Sequence, residues 1–358
     1  MYGNNSTECP HDDDQFKYNA YVFTYALVFP VAFLCNIVAL VVFFKQKNSR
    51  GKPSYVIMVN LALSDGSFSL TLPLRLAYYM NKGKWTFPDW VCRLCVFGFY
   101  VNLYSSILLL TLLSLIRWYS INYPMRHRTI TSKLVLVICL AIWVFVGGSS
   151  VPFLGNGVVY RDGVPRCFEP SSKQSWSHIL KMNYVGLVFG FVLPFCTIIF
   201  CCSKIIHCLR FPNMGKRNKA HAKRIKRSVC LVTMVIATFL LCFLPYHLIR
   251  TLHLHAVNGR WNCGVTNQLQ RAVAVTLCLA AANCVVNPLL YYYSTKKFKE
   301  DMNHTGFRFS RRFSTLNTSI RSYGQGSEKR KLAPQKSKTQ KQPTDKPEAA
   351  EKPLAGSS

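Results

Sequence analysis

Seven long apolar segments dominate this 358-residue chain, at about 21–44, 54–80, 91–121, 133–154, 181–209, 229–253 and 269–293. Each can cross a lipid bilayer, which takes roughly 20 helical residues. Backbone polar groups within lipid must be paired inside the segment, and a helix achieves this pairing. We therefore predict an all-α membrane protein, folded as a seven-transmembrane helix bundle.

Basic residues are concentrated between the apolar segments. The formal net charge is +30, and the densest run, KRNKAHAKRIKR at 216–227, carries seven Lys or Arg between the fifth and sixth segments. Cytoplasmic loops of membrane proteins are enriched in Lys and Arg. We therefore expect a multi-pass plasma membrane protein with its N-terminus outside the cell and its C-terminus in the cytosol. Membrane lipids are expected partners, and nucleic acid is not.

This orientation predicts four regions: an extracellular tail (1–20), the bundle (21–293), a short amphipathic helix on the inner leaflet (294–305) and a disordered cytosolic tail (306–358). The polar, acidic start differs from a signal peptide, so we expect the first span to direct its own insertion. The sequons at Asn4 and Asn5 would be glycosylated outside the cell. The hydroxyl-rich tail is predicted to be phosphorylated by receptor kinases and to recruit arrestin.

Four cysteines lie on the predicted outer side, where disulfides form: Cys9, Cys92, Cys167 and Cys263. Four cysteines allow three pairings. We favour Cys92–Cys167, which would tie the start of span three to the second outer loop, together with Cys9–Cys263. Cys95 lies one turn further along span three and is a competing partner.

One motif in each apolar segment carries a resemblance to a known family: Asn36, LALSD ending at Asp65, Arg117, Trp143, Pro194, CFLPY at 242–246 and NPLLY at 287–291. In this order they resemble the rhodopsin-like G protein-coupled receptors, over residues 20–305. The resemblance implies a heterotrimeric G protein as partner. The residues it assigns to activation and G protein contact are Arg117, Phe243, Pro245, Pro288 and Tyr291. The sequence shows neither the internal repeat nor the paired interrupted helices of many transporters.

Asp65 is the one acidic residue within a predicted span. A charge at bilayer depth is costly and marks a functional site. The resemblance implies that Asp65 belongs to an inward-facing polar cluster that binds a sodium ion and water and rearranges on activation. A purely structural polar cluster is the alternative. The implied partners are Asn36, Ser106, Asn283 and Asn287, with Asn102 one turn away.

The surroundings of Arg117 depart from the family pattern. The acid that the family carries before this arginine is Ile116 here, and the tyrosine after it is Trp118. Span six begins with IKR at 225–227 and has no glutamate at its base. The family's restraining ion pair therefore cannot form. We expect other packing, such as Tyr291 or a hydroxyl, to hold the resting state, with raised basal signalling.

The distribution of charge predicts the kind of ligand. No Asp or Glu occurs between Pro170 and Lys299, and Phe99 stands where amine receptors carry an aspartate. A cationic amine is therefore not expected, whereas arginine within a span needs an anion. Tyr79 and Tyr246 would add to an aromatic lining. The residues predicted to bind the ligand are Arg75, Tyr78, Tyr100, Tyr104, Lys181, Tyr184, His247, Arg250 and Arg271.

The segment PYHLIR at 245–250 resembles receptors for purinergic nucleotides and for cysteinyl leukotrienes. Longer stretches, such as TLPLRLAYYMNKGKW at 71–85 and RCFEP at 166–170, favour the cysteinyl leukotriene receptors. MNY at 182–184 and AAAN at 280–283 favour their type 2 members. The resemblance implies a small anionic lipid with a cysteine-containing peptide head group, and coupling through Gq to phospholipase C and calcium.

Other functions stay open at this point. The same cations would serve a nucleotide, a nucleotide sugar or a dicarboxylate. A non-signalling scaffold or scavenger is kept open by the missing acid beside Arg117. Enzymatic activity is not expected, because the sequence has no HExxH, no phosphate-binding loop and no supported nucleophile–base pair. We expect no cofactor other than the sodium ion.

Overall fold

The computed structural model describes residues 15–46, 51–123, 130–155, 157–161, 163–168, 173–210 and 219–294. Within these residues, seven helical spans are long and apolar enough to cross a membrane. The predicted all-α bundle of seven spans is therefore confirmed.

The first four spans are α1 (Gln15–Lys45), α2 with α3 (Pro53–Ser69 and Leu72–Met80), α4 (Asp89–Asn122) and α5 (Ser132–Ser150). A 3-10 turn at Val151–Gly155 extends span four. Span two is interrupted between α2 and α3, just before Pro73. Proline has no N–H to donate and clashes with the carbonyl four residues earlier, so a break at this point is expected.

Spans five and six each contain one π-helical segment. Span five consists of α6 (Lys173–Val185), a π segment (Gly186–Val192) and α7 (Leu193–Arg210). Span six consists of α8 (Lys219–Thr238), a π segment (Phe239–Phe243) and α9 (Leu244–Asn258), and span seven is α10 (Cys263–Ser294). Both π segments end two residues before a proline, Pro194 and Pro245. The locally widened turn accommodates the hydrogen bond that each proline removes.

The seven spans close into a ring. Span one packs against spans two and seven, and span three contacts spans two, four, five and six. The outward surface is apolar, with Phe23 70% and Val144 76% exposed. A membrane solvates such side chains, whereas water does not. The polar side chains around Asp65 lie on the inside of the ring.

Several predicted boundaries need correction. Residues 15–20, predicted to belong to the tail, form the first turns of α1. Tyr18 is buried there and accepts a 2.9 Å hydrogen bond from Nη1 of Arg166. Spans five, six and seven also begin before their apolar segments, because polar residues continue each helix beyond its apolar part. The predicted inner-leaflet helix, apart from Ser294 at the end of α10, and the tail at 306–358 lie outside the described residues.

A two-stranded antiparallel hairpin, which the sequence did not predict, joins spans four and five. It pairs β1 (Val159–Arg161) with β2 (Val164–Arg166). The backbone N–H of Trp85 donates a 2.8 Å hydrogen bond to the carbonyl of Pro165, and that of Val158 donates to Asp89 at 2.6 Å. The hairpin thus covers the ends of spans two and three. We call this side of the bundle the hairpin end.

The predicted disulfide between Cys92 and Cys167 is present and ties the hairpin to the start of span three. Cys95 is a free thiol, so its proposed role as competitor is wrong. Cys263 also forms a disulfide. Its predicted partner, Cys9, and the sequons at Asn4 and Asn5 lie outside the described residues.

Candidate functional site

A basic cavity of about 180 Å³ lies at the hairpin end. Spans one, two, three, five, six and seven line it together with the hairpin and the residues that follow β2. Tyrosines from four spans contribute to its wall. Its Lys and Arg lining residues are Lys17, Arg75, Arg161 and Arg250.

Arg75 is the most deeply placed of these cations, with 6% of its surface exposed. Its Nη2 donates a 2.7 Å hydrogen bond to the carbonyl of Cys95, while its buried Nε has no hydrogen-bond partner among the described residues. The acids among those residues are Asp65 and Asp89, and both are paired with other groups. A buried guanidinium without a carboxylate is a costly arrangement, and it favours binding of an anion.

A second pocket of about 50 Å³ lies between spans three, four and five. Apolar residues dominate its lining, among them Phe145 and Phe189, each of which is also 56% exposed on the outer surface. The pocket therefore reaches the lipid-facing side of the bundle. Tyr100, Tyr246 and Arg250 line both this pocket and the basic cavity, so the two spaces meet at these side chains.

Tyr104 forms one wall of the second pocket and packs against two glycines of span five. A Cβ atom added to Gly190 would lie 2.5 Å from the Tyr104 ring, and one added to Gly186 would meet the Tyr104 hydroxyl. Both glycines belong to the π-helical segment of span five. The absence of side chains there allows the Tyr104 ring to lean towards span five.

The structure brings together five of the nine predicted ligand residues. Arg75, Tyr78, Tyr100 and Arg250 line the basic cavity, and Tyr104 lines the second pocket. The other four, which line neither space, are Lys181, Tyr184, His247 and Arg271.

Those four residues have other surroundings. Lys181 is exposed at the end of span five. The Tyr184 hydroxyl hydrogen bonds to Nε2 of His255 at 2.5 Å. His247 is 1% exposed and stacks on Phe191, with ring centres 4.6 Å apart. Arg271 is half-buried in span seven.

Sequence reasoning missed several lining residues. Tyr21 and Tyr25 of span one line the basic cavity, and Tyr18 lies on the same face of α1. The spacing of three and four residues places such side chains on one helix face and was the available signal. Phe168, directly after Cys167, also lines the cavity, and its position depends on the hairpin, which periodicity does not reveal.

A fully buried polar cluster surrounds Asp65 in the middle of the bundle. Oδ1 of Asp65 accepts hydrogen bonds from Asn102 at 3.0 Å and Ser106 at 3.4 Å, and its Oδ2 accepts one from Asn287 at 2.8 Å. Asn36 instead donates to the carbonyl of Cys284 at 2.9 Å. These contacts join spans two, three and seven around one carboxylate.

Buried amide oxygens with no hydrogen-bond partner among the described residues belong to Asn36, Asn283 and Asn287. Carboxylate and amide oxygens are the ligand atoms that hard cations prefer. The composition of the cluster therefore suits a sodium ion, which would satisfy oxygen atoms that otherwise carry a desolvation cost.

A comparison with protein-family models matches residues 35–291 to the 7 transmembrane receptor (rhodopsin family). The chain belongs to this receptor family. It is 38% identical over 304 residues to cysteinyl leukotriene receptor 1 of Sus scrofa, with 83% of this chain and 87% of that receptor covered. It is 40% identical over 305 residues to cysteinyl leukotriene receptor 2 of the same species, covering 83% and 85%. Lysophosphatidic acid receptor 6 of Mus musculus is 31% identical over 301 residues, covering 82% and 86%.

Membership in this family establishes a multi-pass plasma membrane receptor with a G protein partner, and not an enzyme. The resemblance to the cysteinyl leukotriene receptors is confirmed. Identities of 38% and 40% to the two porcine types are too similar to separate them, so the preference for type 2 stays a prediction.

Four of the residues predicted to take part in activation lie in spans six and seven: Phe243, Pro245, Pro288 and Tyr291. Phe243 is fully buried and contacts Phe239 edge-on at 5.3 Å, in the π segment just before Pro245. Tyr291 is fully buried against Phe43 at 5.6 Å, one turn from Pro288 within α10.

Arg117 is half-buried near the end of span three. Ile116, at the position of the family's acid, is 6% exposed and belongs to the hydrophobic core. An apolar side chain at this position cannot restrain Arg117 by an ion pair.

Proposed function

We propose that this receptor binds an extracellular anionic lipid of the cysteinyl leukotriene type. The peptide head group would occupy the basic cavity, and the hydrocarbon chain would occupy the pocket between spans three, four and five. One observation carries the proposal: Tyr100, Tyr246 and Arg250 line both spaces. A basic chamber joined to an apolar one is complementary to a molecule with an anionic head and a long apolar chain.

The charges support a ligand with more than one acidic group. Arg75 of span two and Arg250 of span six both line the cavity, and Lys17 and Arg161 add positive charge. Two carboxylates could therefore each meet an arginine, which binds carboxylate with two parallel hydrogen bonds. A nucleotide would also suit these cations, but it would leave the apolar pocket unfilled. This difference separates the two ligand classes.

The proposed orientation places the hairpin end outside the cell. The disulfide between Cys92 and Cys167 supports this choice, because disulfides persist in an oxidising environment. The basic run at 216–227 would then face the cytosol, as basic loops usually do. On that side we propose coupling to Gq, with activation of phospholipase C and release of calcium, and regulation of the tail by receptor kinases and arrestin.

We also propose that the cluster around Asp65 holds a sodium ion. Asp65 would supply the charge, and the amide oxygens of Asn36, Asn283 and Asn287, which have no described partner, would be available as ligands. The ion would supply a positive charge that neutralises Asp65 in the low-dielectric centre of the bundle.

A calcium-mobilisation assay in transfected cells tests the function. Cells expressing the receptor should respond to cysteinyl leukotrienes and should not respond to uridine or adenine nucleotides beyond untransfected cells. Cells expressing the variant Arg250→Ala at equal surface density serve as the control for the site. Silence towards leukotrienes with a response to a nucleotide would replace the proposed ligand by the nucleotide. If leukotrienes activate the receptor without release of calcium, only the proposed coupling to Gq is contradicted.

A further inference from the structure

Phe168 adopts a backbone conformation that phenylalanine rarely takes. Its φ is +70°, in the left-handed region that favours glycine. A bulky residue there costs free energy and persists only where its surroundings enforce it. The preceding residue, Cys167, is disulfide-bonded to Cys92 of span three. The chain is therefore turned at this point so that the Phe168 ring enters the basic cavity, which it lines.

The Phe168 ring contacts the most buried cation of the cavity. Its centre lies 4.4 Å from Cζ of Arg75, whereas the centre of the Phe99 ring lies 5.4 Å from the same atom. A guanidinium over an aromatic ring is attracted by the negative charge on the face of the ring. Of the two rings, Phe168 makes the shorter contact.

Other aromatic side chains hold the Phe168 ring in turn. Trp85 and Tyr78 meet it edge-on, with ring centres at 5.8 and 5.3 Å, and Tyr79 lies nearly parallel to it at 6.4 Å. Edge-to-face and offset contacts at these distances are favourable. The ring is therefore fixed by three neighbours and by the disulfide beside it, and it can fix Arg75.

The hydrogen bonds of Arg75 define what remains for a ligand. Nη2 is committed to the carbonyl of Cys95. Among the described residues, Nε is buried without a partner, and the guanidinium also interacts with the hydroxyl of Tyr25. The described part of the chain places no carboxylate beside the guanidinium, so the bond to Cys95, the contact with Tyr25 and the two rings orient it. An aromatic contact that holds its plane lowers the entropy lost when an anion binds.

We propose that Phe168 is the positioning residue of the anion anchor: through its ring it holds the guanidinium of Arg75 in the orientation that receives a carboxylate of the ligand. This inference rests on the proposed function for the identity of the acid. It assigns a role in recognition to the left-handed backbone after the disulfide. It also predicts that Phe168 affects acidic ligands selectively.

The test uses the full-length receptor in membranes, with Phe168→Leu, Phe168→Tyr and Phe87→Leu. Leucine removes the aromatic face, and tyrosine retains it. Phe87 is a matched control because its ring also contacts Trp85, at 5.1 Å, but has no contact with Arg75. Affinity is measured for a tritiated cysteinyl leukotriene and, by competition, for the same molecule with its carboxylates converted to methyl esters.

Phe168→Leu should weaken binding of the acid by about 3- to 30-fold, the range expected for loss of a desolvated cation–π contact. It should weaken binding of the ester much less. Phe168→Tyr and Phe87→Leu should preserve the ratio of the two affinities. An equal loss for acid and ester in Phe168→Leu, or no loss for either, would overturn the proposal.

A measurement without ligand separates this proposal from the proposed function. The measurement is the NMR resonance of the Arg75 Nε–H in arginine-labelled receptor, assigned by its loss in Arg75→Lys. This resonance should shift in Phe168→Leu and should stay in place in Phe87→Leu. An unchanged resonance in Phe168→Leu contradicts the positioning role. If the resonance shifts in Phe168→Leu while the wild-type receptor binds no cysteinyl leukotriene, the proposed ligand is contradicted and the role of Phe168 is supported.

Discussion

Asn287 of span seven donates a 2.8 Å hydrogen bond to Oδ2 of Asp65 in span two, and both side chains are fully buried. The bond joins two spans that are far apart in sequence at the centre of the bundle. Any change in the charge of Asp65 therefore affects the packing of span seven against span two.

If the cluster holds sodium, the ion should stabilise the receptor. An ion that binds only the folded receptor adds about 1.4 kcal/mol to the free energy of unfolding when its concentration is about ten times the dissociation constant. The melting temperature of wild-type receptor should rise in sodium chloride relative to choline chloride of equal concentration. Asp65→Asn keeps the shape but removes the charge, and it should abolish this difference.

Ser69→Ala is the matched control for that experiment. Ser69 is also buried in span two, but its hydroxyl donates to the carbonyl of Gly66, outside the cluster. The control variant should keep the sodium effect. If the melting temperature of Asp65→Asn still rises in sodium chloride, the rise does not come from an ion bound at Asp65.

Arg250 should contribute strongly to agonist potency, because it lines both the basic cavity and the apolar pocket. Loss of a hydrogen bond to a charged group costs about 1.5–3 kcal/mol, or about 10- to 150-fold in potency. The potency of leukotrienes at Arg250→Ala, measured from concentration–response curves, should be lower than at wild type by this factor. Lys181→Ala should stay near wild type, because Lys181 lines neither space. Equal losses in both variants would argue for a general electrostatic effect.

Gly190 should control the shape of the apolar pocket. An alanine there would meet the Tyr104 ring at 2.5 Å and force it to move. Gly190→Ala should weaken leukotriene binding about tenfold, as expected for an overpacking cost of 1–3 kcal/mol. Gly147→Ala is the control, since a Cβ at this position in span four meets nothing within 4 Å.

The double variant Gly190→Ala with Tyr104→Leu tests the cause. Residues in contact show non-additive effects, so the pair should lose less affinity than the sum of the single variants. Additive losses in radioligand binding would mean that Gly190 does not act through Tyr104.

A carboxylate introduced beside Arg117 should lower basal signalling. Ile116 occupies the family's acidic position and is part of the hydrophobic core. In Ile116→Glu, a new charge-assisted contact of about 1.5 kcal/mol would shift the equilibrium towards the resting state about tenfold. Agonist-free nucleotide exchange on the G protein, at matched surface expression, measures the effect. Ile116→Val should behave as wild type, and unchanged exchange in Ile116→Glu would show that the resting state is already held by packing.

Local composition was sufficient to predict the bundle and its polar centre. Seven apolar segments long enough to span a membrane leave the backbone no other arrangement than helices. The lone acid Asp65 had to find partners inside the ring, and Ser106 and Asn287 do bond to it. The pairing of Cys92 with Cys167 was also predicted.

Only the tertiary structure decided which cations converge. Arg75, Arg250, Lys181 and Arg271 are equivalent in sequence terms, since each lies at the outer part of a span. The rotation of each helix within the ring determines that two of them face the cavity and two do not. Hydropathy does not encode this rotation, because it follows from the packing of neighbouring spans.

The hairpin is the clearest case of a feature that the chain determines only when folded. Its strands are three residues long, too short for a periodic signal, and their contacts with spans two and three are long-range. The position of Phe168 over Arg75 depends on this docking and on a disulfide with a sequence separation of 75 residues. The sequence alone predicted a seven-helix bundle that binds an anion. Only the folded loop decides that the Phe168 ring enters the cavity and lies over Arg75, the arginine proposed to bind that anion.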